Sequence, residues 1–327
     1  MTALERAWYT KQWWCYLLAP FSVLFWLLST LRLFLFKAKL KASYRLPVPV
    51  IIVGNISVGG TGKTPFTLWL CQFLREQGFT PGIISRGYGA KLVAPVLVTP
   101  EHTATEVGDE PLLLAERSGC PVVVSPNRVA AAQYLLQQCP QVDLIISDDG
   151  LQHYALARDI EIVLIDGQRG LGNGWLLPAG PLRELPSRLA QVDLVIANSG
   201  QQPLADGNMS LKALQAVPLR ADDMALKPNA KVDLIAGIGN PERFVRSVLN
   251  AGYQINTRRF LADHHPFSAS DFIGLTTPIL MTEKDAVKCR GFAQAGWYYL
   301  AVQAQPDPQV INKLTEKLSL IRSQYGY

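Results

Sequence analysis

The residues of this chain best suited to chemistry begin at Ser57. The run Ser57-Val58-Gly59-Gly60-Thr61-Gly62-Lys63-Thr64, followed by Pro65, carries the second half of the phosphate-loop pattern G-x-x-x-x-G-K-[ST]. Serine stands where the pattern has its first glycine, and Gly59 and Gly60 lie inside the loop. Such a loop must turn successive backbone N–H groups toward a phosphate, and glycines permit the dihedrals this requires. The N-terminus of a following helix adds a favourable dipole. Lys63 is expected to reach the β- and γ-phosphates of a nucleoside triphosphate, and the Thr64 hydroxyl to ligate Mg²⁺. The flanks agree: VPVIIVGN reads as a strand, and TPFTLWLCQFLREQG has apolar residues at helical spacing up to a stop at Gly78. A glycine-rich turn without a ligand has no need of that context.

Acidic residues supply the next layer. Asp148 and Asp149 end the apolar run VDLIIS, the place of a metal-binding carboxylate at the carboxyl edge of a parallel sheet. Neighbouring strand residues point to opposite faces, so which of the two holds the metal directly stays open. A solvated Asp-Asp-Gly turn is the plainer alternative, and Gln152 and His153 directly after it argue against that. Asp109 and Glu110 in GDEP fall at a helix start, where acids often serve only as caps. Asp263-His264-His265 places two of the chain's four histidines after an acid. Phosphoryl transfer to a hydroxyl needs a group to accept or orient its proton, and Asp or His suits that.

These residues need a scaffold. Strands ending in the loop and in the carboxylates alternate with helices over 64–78, 109–118 and 127–139, and IEIVLIDG and VDLVIANSG read as further strands. KLVAPVLVTP is hairpin-like. The alternation predicts an α/β fold, a doubly wound, mostly parallel sheet of the P-loop NTPase type. The rhythm weakens over 201–230 and resumes at Lys231, which predicts a second, smaller α/β unit with a last helix over 308–324. The expected divisions are 1–45, 46–222 and 223–327.

The first 45 residues differ from the rest. Trp13 to Leu31 holds no charged residue, and nineteen helical residues span about 28 Å, close to a bilayer's hydrocarbon core. Aromatic residues gather at one end, and Arg32, Lys37, Lys39, Lys41 and Arg45 follow at the other. That order is the reverse of a signal peptide's and predicts a retained helix with the remainder of the chain cytoplasmic. Three placements stay open: across a bilayer, in its interface with Pro20 as a kink, or buried in a core. The five scattered cysteines form no C-x-x-C pair and suggest neither a zinc site nor a disulfide framework, and a net charge of +5 is too mild to argue for nucleic acid.

Taken together the motifs resemble the tetraacyldisaccharide 4′-kinase family. The matching stretches are VGNISVGGTGKTP (53–65), SRGYG (85–89), GDEP (108–111), SDDGLQH (147–153), PAGPLRE (178–184), DHH (263–265) and TEKDAVK (282–288). The resemblance implies ATP- and Mg²⁺-dependent phosphorylation of the 4′-hydroxyl of a tetraacylated glucosamine disaccharide 1-phosphate to lipid IV-A, at the cytoplasmic face of a bacterial inner membrane. No nucleic acid is expected as a partner, and no protein partner is inferred. It casts Asp109 as the group acting on the sugar hydroxyl with His264 as its partner, His265 being the less favoured of the pair. Asp148 and Asp149 become magnesium ligands, and Tyr88, Glu110, His153, Arg183 and Glu184 candidates for the substrate groove. A rival of another class is a membrane-tethered P-loop switch acting through protein partners. Against it, NSGQ follows VDLVIA where a guanine-binding switch carries N-K-x-D, and a switch needs no acid–histidine pair.

Overall fold

A computed structural model describes residues 3–276 and 278–326. The chain opens with α1 (Ala3–Thr10), a 3₁₀ segment (Trp13–Leu18) and α2 (Ala19–Lys37). Then follow β1 (Val50–Gly54), α3 (Lys63–Glu76), β2 (Pro81–Ser85), β3 (Val96–Leu97), α4 (Ala104–Val107), α5 (Asp109–Ser118), β4 (Val122–Val124), α6 (Arg128–Gln138), β5 (Leu144–Asp148), β6 (Ile160–Asp166), β7 (Leu194–Asn198) and β8 (Gly207–Pro218). The last third holds β9 (Lys231–Ala236), α7 (Pro241–Asn250), β10 (Gln254–Phe260), β11 (Ile279–Thr282), α8 (Glu283–Cys289), β12 (Trp297–Pro306) and α9 (Pro308–Tyr325).

Among the described residues, twelve strands join in one sheet, ordered β10-β9-β11-β12-β8-β7-β6-β1-β5-β2-β4-β3. Every pairing from β7 through β4 is parallel, as expected for a doubly wound sheet. Side chains alternate across it. Ile51 and Val53 of β1 pack with Phe66, Leu70 and Leu74 of α3, whereas Val50 and Ile52 pack with Ala131, Ala132 and Leu135 of α6. Burying one such leucine contributes about 2 kcal/mol. The strands are therefore apolar on both faces, which is what makes them legible as continuous runs.

Two elements depart from the sequence reading. Residues 91–100 make no hairpin of their own; β3 is a two-residue edge strand antiparallel to β4. The weak stretch 201–230 contains β8, twelve residues long, parallel to β7 and antiparallel to β12. It carries the sheet without a break from the P-loop strands into the C-terminal ones.

The apolar N-terminal run also divides. Pro20 lies in the first turn of α2 rather than kinking it, and the helix continues past Arg32 to Lys37. Proline costs nothing in a first turn, whose N–H groups lack helical partners anyway. A core position is excluded: Phe21, Leu24, Leu27, Leu28, Leu31 and Phe34 are all more than half exposed. The helix is tied to the protein near both ends. The Ser22 hydroxyl donates to the Leu176 carbonyl (2.8 Å) and accepts from Ala179 N–H (2.9 Å), while Phe36 and Arg32 lie 6.0 Å from the Tyr154 ring.

Candidate active site

Lys63 opens α3 directly after β1, so the phosphate loop sits at the carboxyl edge of the sheet. Gly62 has φ +94°, and a β-carbon there would lie 2.2 Å from the Asn198 amide nitrogen, so only glycine fits. Gly59 likewise has φ +108°. Ser57 has no positive φ; its backbone bridges to Leu182, so a β-carbon is tolerated where the general pattern has glycine. A residue the motif does not include holds the loop's shape: Asn198, fully buried at the end of β7, donates to the Thr61 carbonyl (2.9 Å). Its signal was a lone polar side chain ending VDLVIA.

One cavity of about 1250 Å³ gathers every candidate except Ser57. Val58 through Pro65 line it, with Tyr88, Asp109, Glu110, Asp148, Asp149, His153, Arg183, Glu184 and His264. Phe25, Leu28 and Arg32 of α2 line it too.

The two adjacent acids separate because the strand stops between them. Asp148 is the last residue of β5, and Asp149 takes a left-handed φ of +48°. Asp149 accepts from Arg183 Nη1 (3.1 Å) and lies 3.5 Å from Lys63 Nζ. Burial would raise its pKa, but Lys63 and Arg183 pull it down to about 2. Asp148 is 1% exposed; the Ser85 hydroxyl donates to one oxygen (3.3 Å), and the other, Oδ1, has no hydrogen-bond partner among the described residues. Burial, then Glu110 and Asp149, push Asp148 up to about 7 against the opposing charges of Lys63 and Arg128. Among the described residues no three His, Cys, Asp or Glu side chains cluster as a metal cage. A nucleotide-borne Mg²⁺ needs none, since phosphates and water complete its shell. The unpartnered Asp148 oxygen fits such an ion, and Thr64 and Asp149 line the same cavity.

Across the cavity, Asp109 starts α5 and is 6% exposed. It accepts from the neighbouring Glu110 N–H (2.9 Å), and both its oxygens lie 3.1 Å from His264 Nδ1. Burial alone would raise its pKa, yet the His264 hydrogen bond, Lys284, His264 and Lys288 together hold it well below the usual carboxylate range. His264 has φ +58°, with its N–H donating to the Gly237 carbonyl (3.2 Å). Left-handed backbone at a non-glycine residue is costly and collects at functional sites. The Tyr88 ring is 4.7 Å from the His264 ring. His265 faces away, with Nε2 3.2 Å from Asp271 Oδ1.

The remaining candidates differ in their freedom. Glu184 accepts from Gln152 (2.6 Å) and Tyr154 (2.8 Å) and pairs with Arg188 (3.3 Å), a network that braces the cavity wall. His153 Nε2 has no partner; burial and then Arg128, Arg32, Arg158 and Arg86 lower this imidazole to about 4, leaving it neutral. Glu110 pairs with Lys284 (3.0 Å), a contact no sequence argument singled out, although Lys284 lies in TEKDAVK. A latch beside the phosphate loop was also invisible: Arg243 of α7 pairs with Asp166 and donates to the Gly60 carbonyl (3.1 Å).

Comparison with known proteins identifies the family. Residues 14–319 match the family model described as tetraacyldisaccharide-1-P 4'-kinase. The chain is 50% identical over 326 residues to the tetraacyldisaccharide 4'-kinase of Tolumonas auensis, covering 99% of each chain. It is 49% identical to that of Pasteurella multocida, covering 96% of this chain and 98% of the relative. Its fold is similar to the crystal structure of LpxK from Aquifex aeolicus in complex with ATP, with TM-score 0.76, 27% identity, and coverage of 94% of this chain and 99% of that one. The chain belongs to the tetraacyldisaccharide 4′-kinase family, and it is a kinase of lipid A biosynthesis.

Proposed function

We propose that this kinase transfers the γ-phosphoryl group of ATP in line to the 4′-hydroxyl of an acylated glucosamine disaccharide 1-phosphate, forming lipid IV-A. The observation that carries the reading is the meeting of Asp109 and His264, far apart in sequence, in the cavity that also holds the phosphate loop. The loop N–H groups and Lys63 bind the β- and γ-phosphates. Thr64, Asp148 and Asp149 hold Mg²⁺, which when bound neutralises charge on the phosphoryl oxygens. Arg183 fixes Asp149 in its turn.

Asp109 remains ionised throughout the physiological range and is therefore a weak base. That suits a loose transition state, in which the acceptor's proton leaves late and the carboxylate's main task is to orient the hydroxyl. His264 fixes the carboxylate, and Tyr88 packs over His264. Positioning and electrostatics thus supply most of the rate.

The substrate is a lipid, and α2 supplies the matching surface. Being tied near both Ser22 and Phe36, the helix runs along the protein rather than away from it, so we assign it to the interface of the inner membrane with the catalytic part on the cytoplasmic side. Its Phe25 and Leu28 border the cavity and offer a path for acyl chains. Flotation with anionic vesicles tests this: L24D with L27D should abolish comigration, and unchanged comigration would refute the interfacial assignment. The reaction itself is tested by γ-³²P transfer. Label is expected on extracted lipid; label found solely as free phosphate would favour a partner-dependent switch and sink the kinase mechanism.

A further inference from the structure

Lys284 stands out because its ammonium is enclosed on every side by the acceptor site. It lies 3.0 Å from Glu110 Oε1, 3.3 Å from His264 Nε2, 3.7 Å from Asp263 and 3.9 Å from Asp109, with its side chain 17% exposed. Burial alone would push it down, but the charges of Glu110, Asp109 and Asp263 more than reverse this and hold it above the ordinary lysine range. It is therefore a cation and a pure donor. A histidine nitrogen facing such a donor has to accept. His264 Nε2 thus carries no proton, and the ring's single proton belongs on Nδ1, which lies 3.1 Å from both Asp109 oxygens.

Resting on the Asp109–His264 reading above, we propose that Lys284 is a positioning residue of the phosphoryl-acceptor site, one that selects the Nδ1–H tautomer of His264 and so directs that proton onto Asp109. Without Lys284 the ring is free to carry its proton on Nε2. It then presents a lone pair to a carboxylate, and the two repel. Groups facing the ring come from four elements: Asp109 and Glu110 on α5, Asp263 on its own loop, Lys284 and Lys288 on α8, and the Tyr88 ring on the loop after β2. Of these, Lys284 alone lies within hydrogen-bond distance of Nε2. Lys288, 3.4 Å from Asp109 and 2.9 Å from Asp285, supplies charge to the carboxylate without touching the ring.

The test is a double-mutant cycle on the full chain with ¹⁵N-histidine spectra. K284M should lower kcat by ~100-fold with KM for ATP changed by less than ~3-fold, and move the His264 Nε2 resonance from its unprotonated toward its protonated position. In an H264A background the same substitution should cost under ~3-fold, because a positioning residue acts through the ring it positions. K284Q keeps a neutral donor of shorter reach and serves where K284M folds poorly; it should recover part of kcat together with the unprotonated Nε2 signal. A full K284M penalty in the H264A background would mean that Lys284 acts directly on phosphate or substrate, and would overturn the proposal. So would an unchanged Nε2 signal, or normal kcat in K284M while H264A alone is crippled; that last result would leave the dyad standing. Near-normal kcat in H264A would instead sink the dyad and this proposal with it.

Discussion

Asp109 and Asp148 are both buried aspartates in one cavity, 6% and 1% exposed, and their carboxyls move in opposite directions. The protein surrounds Asp109 with two cations, Lys284 and Lys288, and sets the His264 ring against it, and the acid is ionised at any working pH. Around Asp148 it sets further acids, Glu110 and Asp149, and leaves one oxygen without a partner. Burial alone cannot account for the difference, since it raises both. The neighbours decide. The acceptor side is electrostatically complete in the protein alone, whereas the nucleotide side is short of a cation that has to arrive with the ligand.

The comparison can be broken most directly at the acceptor side. Asp109→Asn and His264→Ala should each lower kcat by ~10³-fold with KM for ATP nearly kept; near-normal turnover in both would remove the distinction. Asp148→Asn should lower kcat by ~10²-fold and raise the Mg²⁺ concentration needed for half-maximal rate, whereas Asp109→Asn should leave that concentration unchanged. The third contrast is in protons. Because Asp148 titrates near pH 7, Mg²⁺-nucleotide binding at pH 6 should release close to one proton, read as a buffer-dependent heat, and release should fade above pH 8. A buffer-independent heat at pH 6 would contradict the raised pKa. The smallest effect is on stability without ligand. A lowered pKa means that Asp109 stabilises the fold above its unfolded value of ~3.9 and loses this only in stronger acid. A raised pKa means the reverse for Asp148: its ionisation costs stability as pH climbs from ~4 to ~7. At pH 7.5 Asp109→Asn should thus lower Tm and Asp148→Asn raise it, each by ~2 °C or more.

How much of this was readable beforehand follows from where each feature's signal lies. The phosphate loop, Asp148-Asp149 and the parallel strands are local: contiguous residues with strong patterns. The Asp109–His264 contact joins positions 155 apart in sequence, and spacing alone gave no reason to pair them; the family's motifs did. β8 escaped because its exposure is mixed along GNMSLKALQAVP and its pairing with β12 shifts register between Leu300 and Val302. Its first half does alternate, Met209, Leu211 and Ala213 against Ser210 and Lys212, a usable sign in hindsight. Asn198, Arg243 and Lys284 are single polar residues whose partners come from remote segments, and no periodicity marks such residues.

The unbroken sheet made by β8 has a consequence for life at high concentration. Had the two parts of the sheet been separate, each would have ended in an inner edge with unpaired N–H and C=O groups, a template for pairing with another molecule. Joined through β8, the twelve strands of the described residues share two outer edges. One is β3, two residues long; the other is β10, which carries Arg258 and Arg259 beside the polar Gln254 and Asn256. Short length at one end and positive charge at the other are the usual guards against edge-to-edge association, so this wide sheet leaves little for a misfolded neighbour to add to.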